Sequence, residues 1–255
     1  MTNAMFDIAG KKAIVTGGTR GLGRGMAEGL MEAGCDVCIV GTSDNVFVIA
    51  KFYCDKGYSC KGIKADLSKR EEIHCCFQKC LKEFGGDLDI LVLSHGIQYR
   101  CPTTDFPVQM WDNVINVNLN SVFMLCQEAA KVMLPKGYGK IILMSSMTAF
   151  FGGTNIPAYA ASKGGLTQLA KAMSNDWLSR GINVNCLAPG YMDTDMCAVL
   201  NDPANSQYYK IMNRIPAGRW GTPDDMKGPC IFLASHASDY LGGAVIPVDG
   251  GYLAM

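Results

Sequence analysis

The sequence KKAIVTGGTRGLG, residues 11–23, places an apolar run directly before a glycine-rich turn. The apolar run predicts a buried strand, and the helical period of the residues after the turn predicts a helix. In the turn, Gly17 permits a sharp bend, Gly21 lets backbone N–H groups approach a pyrophosphate, and Gly23 lets the helix pack close to the strand. The Gly-x3-Gly-x-Gly spacing differs from the Gly-x-Gly-x-x-Gly dinucleotide fingerprint, so a strand-to-helix turn without a ligand is the alternative.

Strand-like apolar runs alternate with stretches of helical period along the rest of the chain. Strands are predicted at residues 11–16, 36–40, 59–64, 88–94, 139–145 and 182–187. Helices are predicted at residues 21–33, 45–56, 69–84, 110–133 and 158–179. Continuous apolar runs are typical of parallel strands that helices cover on both faces. The pattern therefore predicts an α/β fold, a doubly wound parallel sheet of Rossmann type.

The 255-residue chain is 49% hydrophobic and 18% charged, which is typical of a soluble globular protein with a large core. Chains divide into several domains above roughly 250–300 residues, so we expect one domain, residues 1–255. The least patterned segment is residues 192–219. Ligand crevices of open α/β sheets lie at the edge that this segment follows, so we expect it to be a substrate lid. An insertion that only packs on the surface is the alternative.

Charge and hydropathy limit the classes of partner. Lys plus Arg and Asp plus Glu both count 23, and no block of like charges marks a tail for nucleic acid or anionic lipid. No run approaches the roughly 20 apolar residues of a membrane span, and residues 1–10 do not resemble a secretory signal. We therefore expect a cytoplasmic protein that binds a small-molecule substrate, with neither nucleic acid nor membrane as a partner.

Twelve cysteines are numerous for this length, but without an export signal they are expected to be reduced thiols. The one Cys-x-x-Cys, Cys35 to Cys38, lacks the second ligand pair that a zinc site requires. The nearby Cys75, Cys76 and Cys80 fit one helix face, where free cysteines behave as small buried hydrophobes. No metal site is predicted.

The end of the second strand should lie near the ribose of a bound dinucleotide. An acidic residue there selects NAD and a basic residue selects NADP, but Gly41, Thr42 and Ser43 provide neither signal. The hydroxyls of Thr42 and Ser43 with the guanidinium of Arg20 slightly favour NADP, while Asp44 favours NAD. The choice between the two cofactors stays open.

Asp66 follows the third predicted strand, in the sequence Ala65-Asp66-Leu67. At that place its carboxylate can accept a hydrogen bond from an adenine amino group. It can equally cap the helix that begins near Ser68, and the sequence does not separate these two roles.

Tyr159 and Lys163 are four residues apart in a predicted helix and so share one face. A free phenol has a pKa of about 10, and an adjacent ammonium can lower that pKa toward the operating range of an acid/base. Ser145 and Ser146 end the preceding strand, where a hydroxyl can hydrogen-bond the reacting oxygen. No Gly-x-Ser-x-Gly elbow or His-and-acid relay accompanies them, so we expect hydride chemistry with a cofactor rather than hydrolysis.

Together these motifs resemble the short-chain dehydrogenase/reductase family over essentially the whole chain. The glycine motif matches Thr16-Gly17 with Gly21 and Gly23, and a Ser thirteen residues before the Tyr falls on Ser146. The resemblance implies a catalytic tetrad of Ser146, Tyr159, Lys163 and Asn118, in which the Asn kinks a helix and holds a water in the proton path. It also implies that Lys163 binds the nicotinamide ribose and that a segment from Pro189 to Thr194 holds the carboxamide.

The motifs and the resemblance together predict the residues that contact a bound NAD or NADP. They are Gly17, Thr19, Arg20, Gly21, Leu22, Gly23, Thr42, Ser43, Asp66, Leu67, Gly96, Tyr159, Lys163, Pro189, Gly190, Met192 and Thr194. One departure from the family is Ser94-His95-Gly96, where Asn-Asn-Ala-Gly is usual. His95 could titrate there, but we expect a buried imidazole paired with backbone groups, because polar groups inside proteins are usually paired.

Within the family, residues 97–100, 188–192 and 214–221 are similar to gluconate 5-dehydrogenases and 2-dehydro-3-deoxy-D-gluconate 5-dehydrogenases. Such substrates are sugar acids, so a cation is needed for the carboxylate. Arg100 is the candidate cation. The predicted substrate contacts are Gln98, Arg100, Ser146, Tyr159 and Tyr191. Arg219, which is common in the family, is expected to brace the lid.

Two alternatives remain at this stage. A 3-oxoacyl or hydrophobic-ketone reductase would use the same chemistry, and it is suggested by Met144, Met147, Phe150 and Phe151 near the site. A cofactor-binding protein without turnover is suggested by the altered segment around His95. The resemblance also implies a homotetramer, with residues 110–133 and 158–179 in one interface and residues 245–255 in another.

Overall fold

A parallel sheet forms the centre of the molecule, which the computed structural model describes over residues 4–255. Residues 1–3 of the predicted domain lie outside the described residues. The strands are β1 (Lys12–Thr16), β2 (Asp36–Gly41), β3 (Cys60–Lys64), β4 (Ile90–Leu93), β5 (Gly139–Met144), β6 (Ile182–Pro189) and β7 (Val245–Val248). They lie in the order β3-β2-β1-β4-β5-β6-β7, and all neighbours are parallel. The order reverses between β1 and β4, where open α/β sheets bind ligands.

Helices cover both faces of this sheet. They are α1 (Gly21–Glu32), α2 (Asn45–Asp55), α3 (Arg70–Glu83), α4 (Val108–Ile115), α5 (Ser121–Lys136), α6 (Pro157–Trp177), α7 (Tyr208–Met212) and α8 (Lys227–Ala234). One face buries a cluster that includes Phe77 of α3 and Leu125 of α5, and the other buries Leu30 of α1 and Leu233 of α8. Every residue of β4, β5 and β6 is buried, as the continuous apolar runs predict. The doubly wound, Rossmann-type sheet is confirmed.

The helix predicted over residues 110–133 is interrupted. A π-helical turn, Asn116–Asn120, joins α4 to α5, and Asn118 lies at its centre. The kink that the family resemblance implies for Asn118 is therefore present. The sequence pattern does not predict β7 or α8, since β7 has four partly exposed residues and α8 contains Gly228 and Pro229.

The predicted lid, residues 192–219, contains two short helical pieces, Asp195–Cys197 and α7. It covers a third apolar cluster, which includes Met147, Ile215 and Tyr252. At its end, both guanidinium nitrogens of Arg219 contact the Asp225 carboxylate at 2.7 Å. This bidentate pair fixes the end of the predicted lid to the turn before α8.

The described residues contain no disulfide partners for the twelve cysteines, which are all free thiols. Between residues 4 and 255, no group of three His, Cys, Asp or Glu side chains is arranged to hold a metal ion. No helix in the described part of the chain has the length and apolarity to cross a membrane.

Candidate active site

A cleft of about 920 Å³ opens at the carboxyl ends of the strands, between the glycine-rich turn and the start of the lid. Most of the predicted cofactor contacts line it, together with Gln98. The lining residues that the sequence predicts are Gly17, Thr19, Arg20, Gly21, Leu22, Gly23, Thr42, Asp66, Leu67, Gly96, Gln98, Tyr159, Lys163, Pro189 and Thr194. The fold therefore brings residues from five strand ends to one cleft.

Three predicted cofactor contacts do not line the cleft. Ser43 is exposed and lies outside the cleft. Gly190 packs against Asp249, and a Cβ at Gly190 would lie only 2.7 Å from the Asp249 Cα. Met192 is 3% exposed because its side chain turns into the core, where it fills the space beside Gly221. The Met192 side chain therefore does not reach the cleft, and only its backbone is left to contact a cofactor.

The glycine-rich turn is shaped as a cradle for a phosphate group. Gly17 has a φ of +66°, and a Cβ there would lie 3.0 Å from the backbone nitrogen of His95. A Cβ at Gly23 would lie 2.3 Å from the Gly17 carbonyl oxygen. Arg20, the residue before α1, makes no side-chain cap, so the first N–H groups of α1 are left for an anion. The residues present fit the pyrophosphate of a dinucleotide.

Asp66 lies on the wall of the cleft and also caps the turn after β3. Its Oδ1 accepts hydrogen bonds from the Ser68 backbone nitrogen at 3.0 Å and from the Ser68 hydroxyl at 2.7 Å. These bonds lower the pKa of Asp66. Asp66 does not cap α3, which begins at Arg70 with Lys69 as its N-cap residue, so the adenine contact is the role that its place on the cleft wall leaves open.

Tyr159, Ser146 and Lys163 come together at the inner end of the cleft. Ser146 lies beside Tyr159, and its hydroxyl interacts with the phenol. Lys163 Nζ lies over the Tyr159 ring, 5.4 Å from its centroid, and donates to the Met144 carbonyl oxygen at 2.6 Å. Ser145 Oγ donates to the Lys163 carbonyl oxygen at 3.2 Å and so fixes β5 against α6. The side chains of Tyr159, Ser146 and Lys163 therefore lie near one another at one end of the cleft.

The expected lowering of the Tyr159 pKa by Lys163 is not present in this geometry. Desolvation by the surrounding protein raises the pKa of Tyr159 to about 12, and the Ser146 hydrogen bond opposes that rise. Desolvation also lowers the pKa of Lys163 to about 8. The ammonium is bonded to the Met144 carbonyl rather than directed at the phenol oxygen, so burial dominates both groups.

Asn118 holds the segment after β4 against the π-helical turn. Its Oδ1 accepts from the Ile97 backbone nitrogen at 2.8 Å, and its Nδ2 donates to the Ile97 carbonyl oxygen at 2.9 Å. Nδ2 also donates to Ser162 Oγ at 3.2 Å, and the side chain is fully buried. The amide is engaged with protein partners, so its structural contribution is the position of the turn beside Lys163.

The outer end of the site carries positive charge and aromatic rings. Arg100 is exposed and lies beside the cleft rather than on its wall. Burial raises the pKa of Tyr159, Tyr191 and Cys197, and the Arg100 charge opposes each rise, which places it near all three. Within residues 4–255 no carboxylate forms an ion pair with Arg100. Tyr191 packs edge-on against Tyr252, with 5.3 Å between ring centroids. Tyr252 was not predicted, because the chain end that carries it has no pattern pointing to the cleft.

His95 is paired as expected: both ring nitrogens contact hydroxyl groups, and the Val117 backbone also interacts with the ring. Its Nδ1 lies 2.6 Å from Thr16 Oγ1, and its Nε2 lies 2.7 Å from Ser121 Oγ. Desolvation and the nearby Lys163 lower the pKa of His95 to about 3. The imidazole is therefore neutral at physiological pH.

Comparison with known proteins gives consistent matches over the whole chain. A family model described as Enoyl-(Acyl carrier protein) reductase matches residues 17–253. The 2-dehydro-3-deoxy-D-gluconate 5-dehydrogenase of Pseudoalteromonas atlantica is 43% identical over 97% of this chain and 98% of that protein. The Escherichia coli K12 protein of the same name is also 43% identical, over 100% of both chains.

A solved structure has the same fold. The gluconate 5-dehydrogenase from Burkholderia cenocepacia J2315, in complex with NADP and tartrate, superposes with a TM-score of 0.92. It is 36% identical and covers 99% of this chain and 98% of its own.

Proposed function

The chain belongs to the short-chain dehydrogenase/reductase family, and on that basis we propose that it acts on a sugar acid of the gluconate or 3-deoxy-gluconate type. The reaction is hydride transfer between a nicotinamide cofactor and a carbon that bears a secondary alcohol or ketone. The observation that carries the proposal is Arg100, a cation without a carboxylate partner within residues 4–255, close to Tyr159. A sugar-acid carboxylate is a fitting counter-ion for it.

The protein groups around the reacting carbon have separate roles. The bound nicotinamide cofactor accepts or supplies the hydride. Tyr159 exchanges a proton with the substrate oxygen, and the Ser146 hydroxyl beside the phenol turns to donate to that oxygen when substrate is bound. The Lys163 ammonium lies over the Tyr159 ring and is the next proton donor in line after the phenol. The π-helical turn of Asn118 fixes the Gly96 backbone, which lies beside Lys163 Nζ.

NADP is the proposed cofactor. Thr42 and Arg20 line the adenosine end of the cleft, where a 2′-phosphate would lie. The carboxylate of Asp44, which favours NAD in the sequence, is paired with Lys64 Nζ at 3.0 Å, so its charge is partly compensated. The similar Burkholderia protein contains NADP, which supports the same choice here.

The alternative of a hydrophobic-ketone reductase receives less support. Met147 packs in the apolar cluster under the lid, and Phe150 is exposed. Only Met144 of the four apolar candidates lines the cleft. The tartrate in the Burkholderia protein is a hydroxylated carboxylate, a ligand class that matches a cation at Arg100.

The first experiment is a screen of purified protein with 2-dehydro-3-deoxy-D-gluconate, gluconate and uncharged ketones, each with NADP(H) and NAD(H). Absorbance of the reduced nicotinamide reports turnover. We expect turnover of a sugar acid with NADP(H) to exceed that of the uncharged ketones. A panel with cofactor binding but no turnover would instead support the non-catalytic alternative.

Arg100→Ala tests the role of the cation. Hydrogen bonds to charged groups contribute about 1.5–3 kcal/mol, so we expect the KM for the sugar acid to rise roughly 10- to 100-fold. The KM for an uncharged ketone should not change. The matched control is Arg180→Ala, which removes an exposed arginine before the amino end of β6, at the opposite edge of the sheet. Equal effects of Arg100→Ala on both substrates would contradict the proposal.

We also propose a cytoplasmic homotetramer. The two long helical faces of α4–α5 and α6 are the proposed interface, and residues 245–255 form a second one. Val108, Trp111 and Phe123 are exposed apolar side chains on α4 and α5, which supports burial by another subunit. Free thiols throughout the chain fit a reducing compartment. Size-exclusion chromatography with light scattering measures the subunit number.

A further inference from the structure

The His95 side chain connects the glycine-rich turn with the start of α5. Thr16 ends β1 and begins the glycine-rich turn, whereas Ser121 begins α5 directly after the π-helical turn. The His95 ring lies between them, at 2.6 Å from Thr16 Oγ1 and 2.7 Å from Ser121 Oγ. The imidazole therefore links the end of β1 to the start of α5, at the place where the strand order reverses between β1 and β4.

The hydrogen bonds fix one state of the ring. Ser121 has a single hydroxyl proton, and it donates that proton to the Val117 carbonyl oxygen at 2.6 Å. Ser121 Oγ therefore accepts from His95 Nε2–H, so Nδ1 of the neutral ring accepts from the Thr16 hydroxyl. The Thr16 oxygen in turn accepts from the Ser94 backbone nitrogen at 3.2 Å. Thr16 Oγ1 also lies 3.4 Å from the Val92 carbonyl oxygen, but His95 Nδ1, at 2.6 Å, is the nearer acceptor for the hydroxyl proton.

The chain of bonds ends beside the catalytic groups. Val117 is the residue before Asn118 in the π-helical turn. Gly96 follows His95, and a Cβ on Gly96 would lie 3.3 Å from Asn118 Oδ1 and 3.7 Å from Lys163 Nζ. The backbone at Gly96 thus occupies the space between Asn118 and Lys163. A shift of His95 would therefore move the Gly96 backbone and, through Ser121, the π-helical turn that carries Asn118.

We propose that His95 is a positioning residue for proton transfer, which holds the Gly96 backbone and the π-helical turn of Asn118 in register with Lys163. It acts through Thr16 and Ser121 and does not itself exchange protons with the substrate. The neutral ring is suited to this role, since it needs one donor and one acceptor and carries no charge toward Lys163. This inference rests on the proposed hydride-transfer function.

The variants His95→Leu and His95→Gln separate the contribution of the imidazole hydrogen bonds from that of the side-chain volume. Leu fills much of the space but bonds neither hydroxyl, while Gln supplies one donor and one acceptor. Misplacement of catalytic groups by about 1 Å can reduce turnover roughly 100-fold, so we expect His95→Leu to lower kcat about 10- to 100-fold. The KM values for sugar acid and NADP should change less than about 3-fold, and His95→Gln should recover most of kcat.

Ser121→Ala removes the same connection from its other end. Because both variants break one chain of bonds, the double variant His95→Leu/Ser121→Ala should be no slower than the slower single variant. The matched control is His236→Leu, which removes an exposed imidazole that is paired with Asp239 beyond the amino ends of the strands. We expect the kcat of this control to equal that of the wild type.

A readout without cofactor or substrate keeps the inference separate from the proposed function. In His95→Leu, backbone amide hydrogen exchange of residues 116–121 should be faster than in the wild type, with the core strands unchanged. Unchanged exchange there, unchanged kcat in His95→Leu, or additive losses in the double variant would each overturn the role of His95. A wild-type protein without turnover on any sugar acid would instead overturn the proposed function, and the exchange result would stand.

Discussion

At the scale of single residues, the acid/base pair depends on which acceptor Lys163 finds. The spacing of Tyr159 and Lys163 correctly predicts that both lie on one face of α6, but it does not locate the Met144 carbonyl that binds the ammonium. That carbonyl comes from β5 and is 19 residues away in sequence. Spacing within one helix therefore predicts contact between the two groups, whereas the pKa of the phenol depends on tertiary packing.

Tyr159→Phe tests the phenol directly. Loss of a general acid/base reduces turnover about 10²- to 10⁴-fold, so we expect kcat to fall within that range. Binding of NADPH, measured by fluorescence titration, should stay within a factor of about 3, because the phenol hydroxyl is at the reacting end of the cleft. Tyr240→Phe is the control, since Tyr240 is fully exposed. Wild-type turnover in Tyr159→Phe would exclude this residue as the acid/base.

At the scale of elements, the apolar runs and the helical period predict most of the strands and helices up to β6. The exceptions have local causes. The π-helical turn Asn116–Asn120 interrupts a stretch whose apolar period continues without a break, so periodicity alone does not reveal it. Its position was available only from the resemblance that pointed to Asn118. Tyr252 was missed for a different reason, because a short turn at the chain end brings it under the lid.

The contact between the glycine-rich turn and α1 leads to a prediction for Gly23→Ala. The new Cβ would lie 2.3 Å from the Gly17 carbonyl oxygen, so either the turn or α1 must move. We expect a loss of about 1–3 kcal/mol in unfolding free energy, the usual effect of overpacking, together with weaker NADPH binding. Urea unfolding and fluorescence titration measure the two quantities.

Gly228→Ala is the matched control for this prediction. Gly228 also lies in a helix, but a Cβ there meets no atom within 4 Å. Replacement of such a glycine by alanine stabilises a protein by about 0.4–1 kcal/mol through the unfolded chain. If Gly23→Ala behaved like Gly228→Ala, the close approach of α1 to the turn would not matter for binding.

At the scale of the whole molecule, strand order places the groups of the site together although they are far apart in sequence. Thr16, His95 and Ser121 come from the ends of β1 and β4 and from the start of α5, and 105 residue positions separate the first from the last. The parallel sheet predicts that such strand ends meet at one edge. Which side chains bond there depends on the departure Ser94-His95-Gly96, whose partners the sequence does not specify.

The same imidazole gives the molecule an acid-sensitive folding free energy. The pKa of His95 is about 3 in the folded protein, against an ordinary value of 6.5, and Lys163 is the charged group that faces it. Because the folded value is the lower one, the unfolded chain binds a proton first, and stability falls as the pH decreases from about 6.5 toward 3. Within this window, the free energy of unfolding falls by about 1.4 kcal/mol for each unit by which the pH decreases.

His95→Gln removes this titration while it keeps a donor and an acceptor. Urea unfolding at fixed protein concentration, at pH 7 and pH 5, should therefore show that the wild type loses about 2 kcal/mol more than His95→Gln on acidification. His236→Gln, which alters an exposed imidazole, should lose as much as the wild type. An equal loss in the wild type and in His95→Gln would mean that the folded protein protonates His95 as readily as the unfolded chain. A neutral ring between Thr16 and Ser121 would then be excluded.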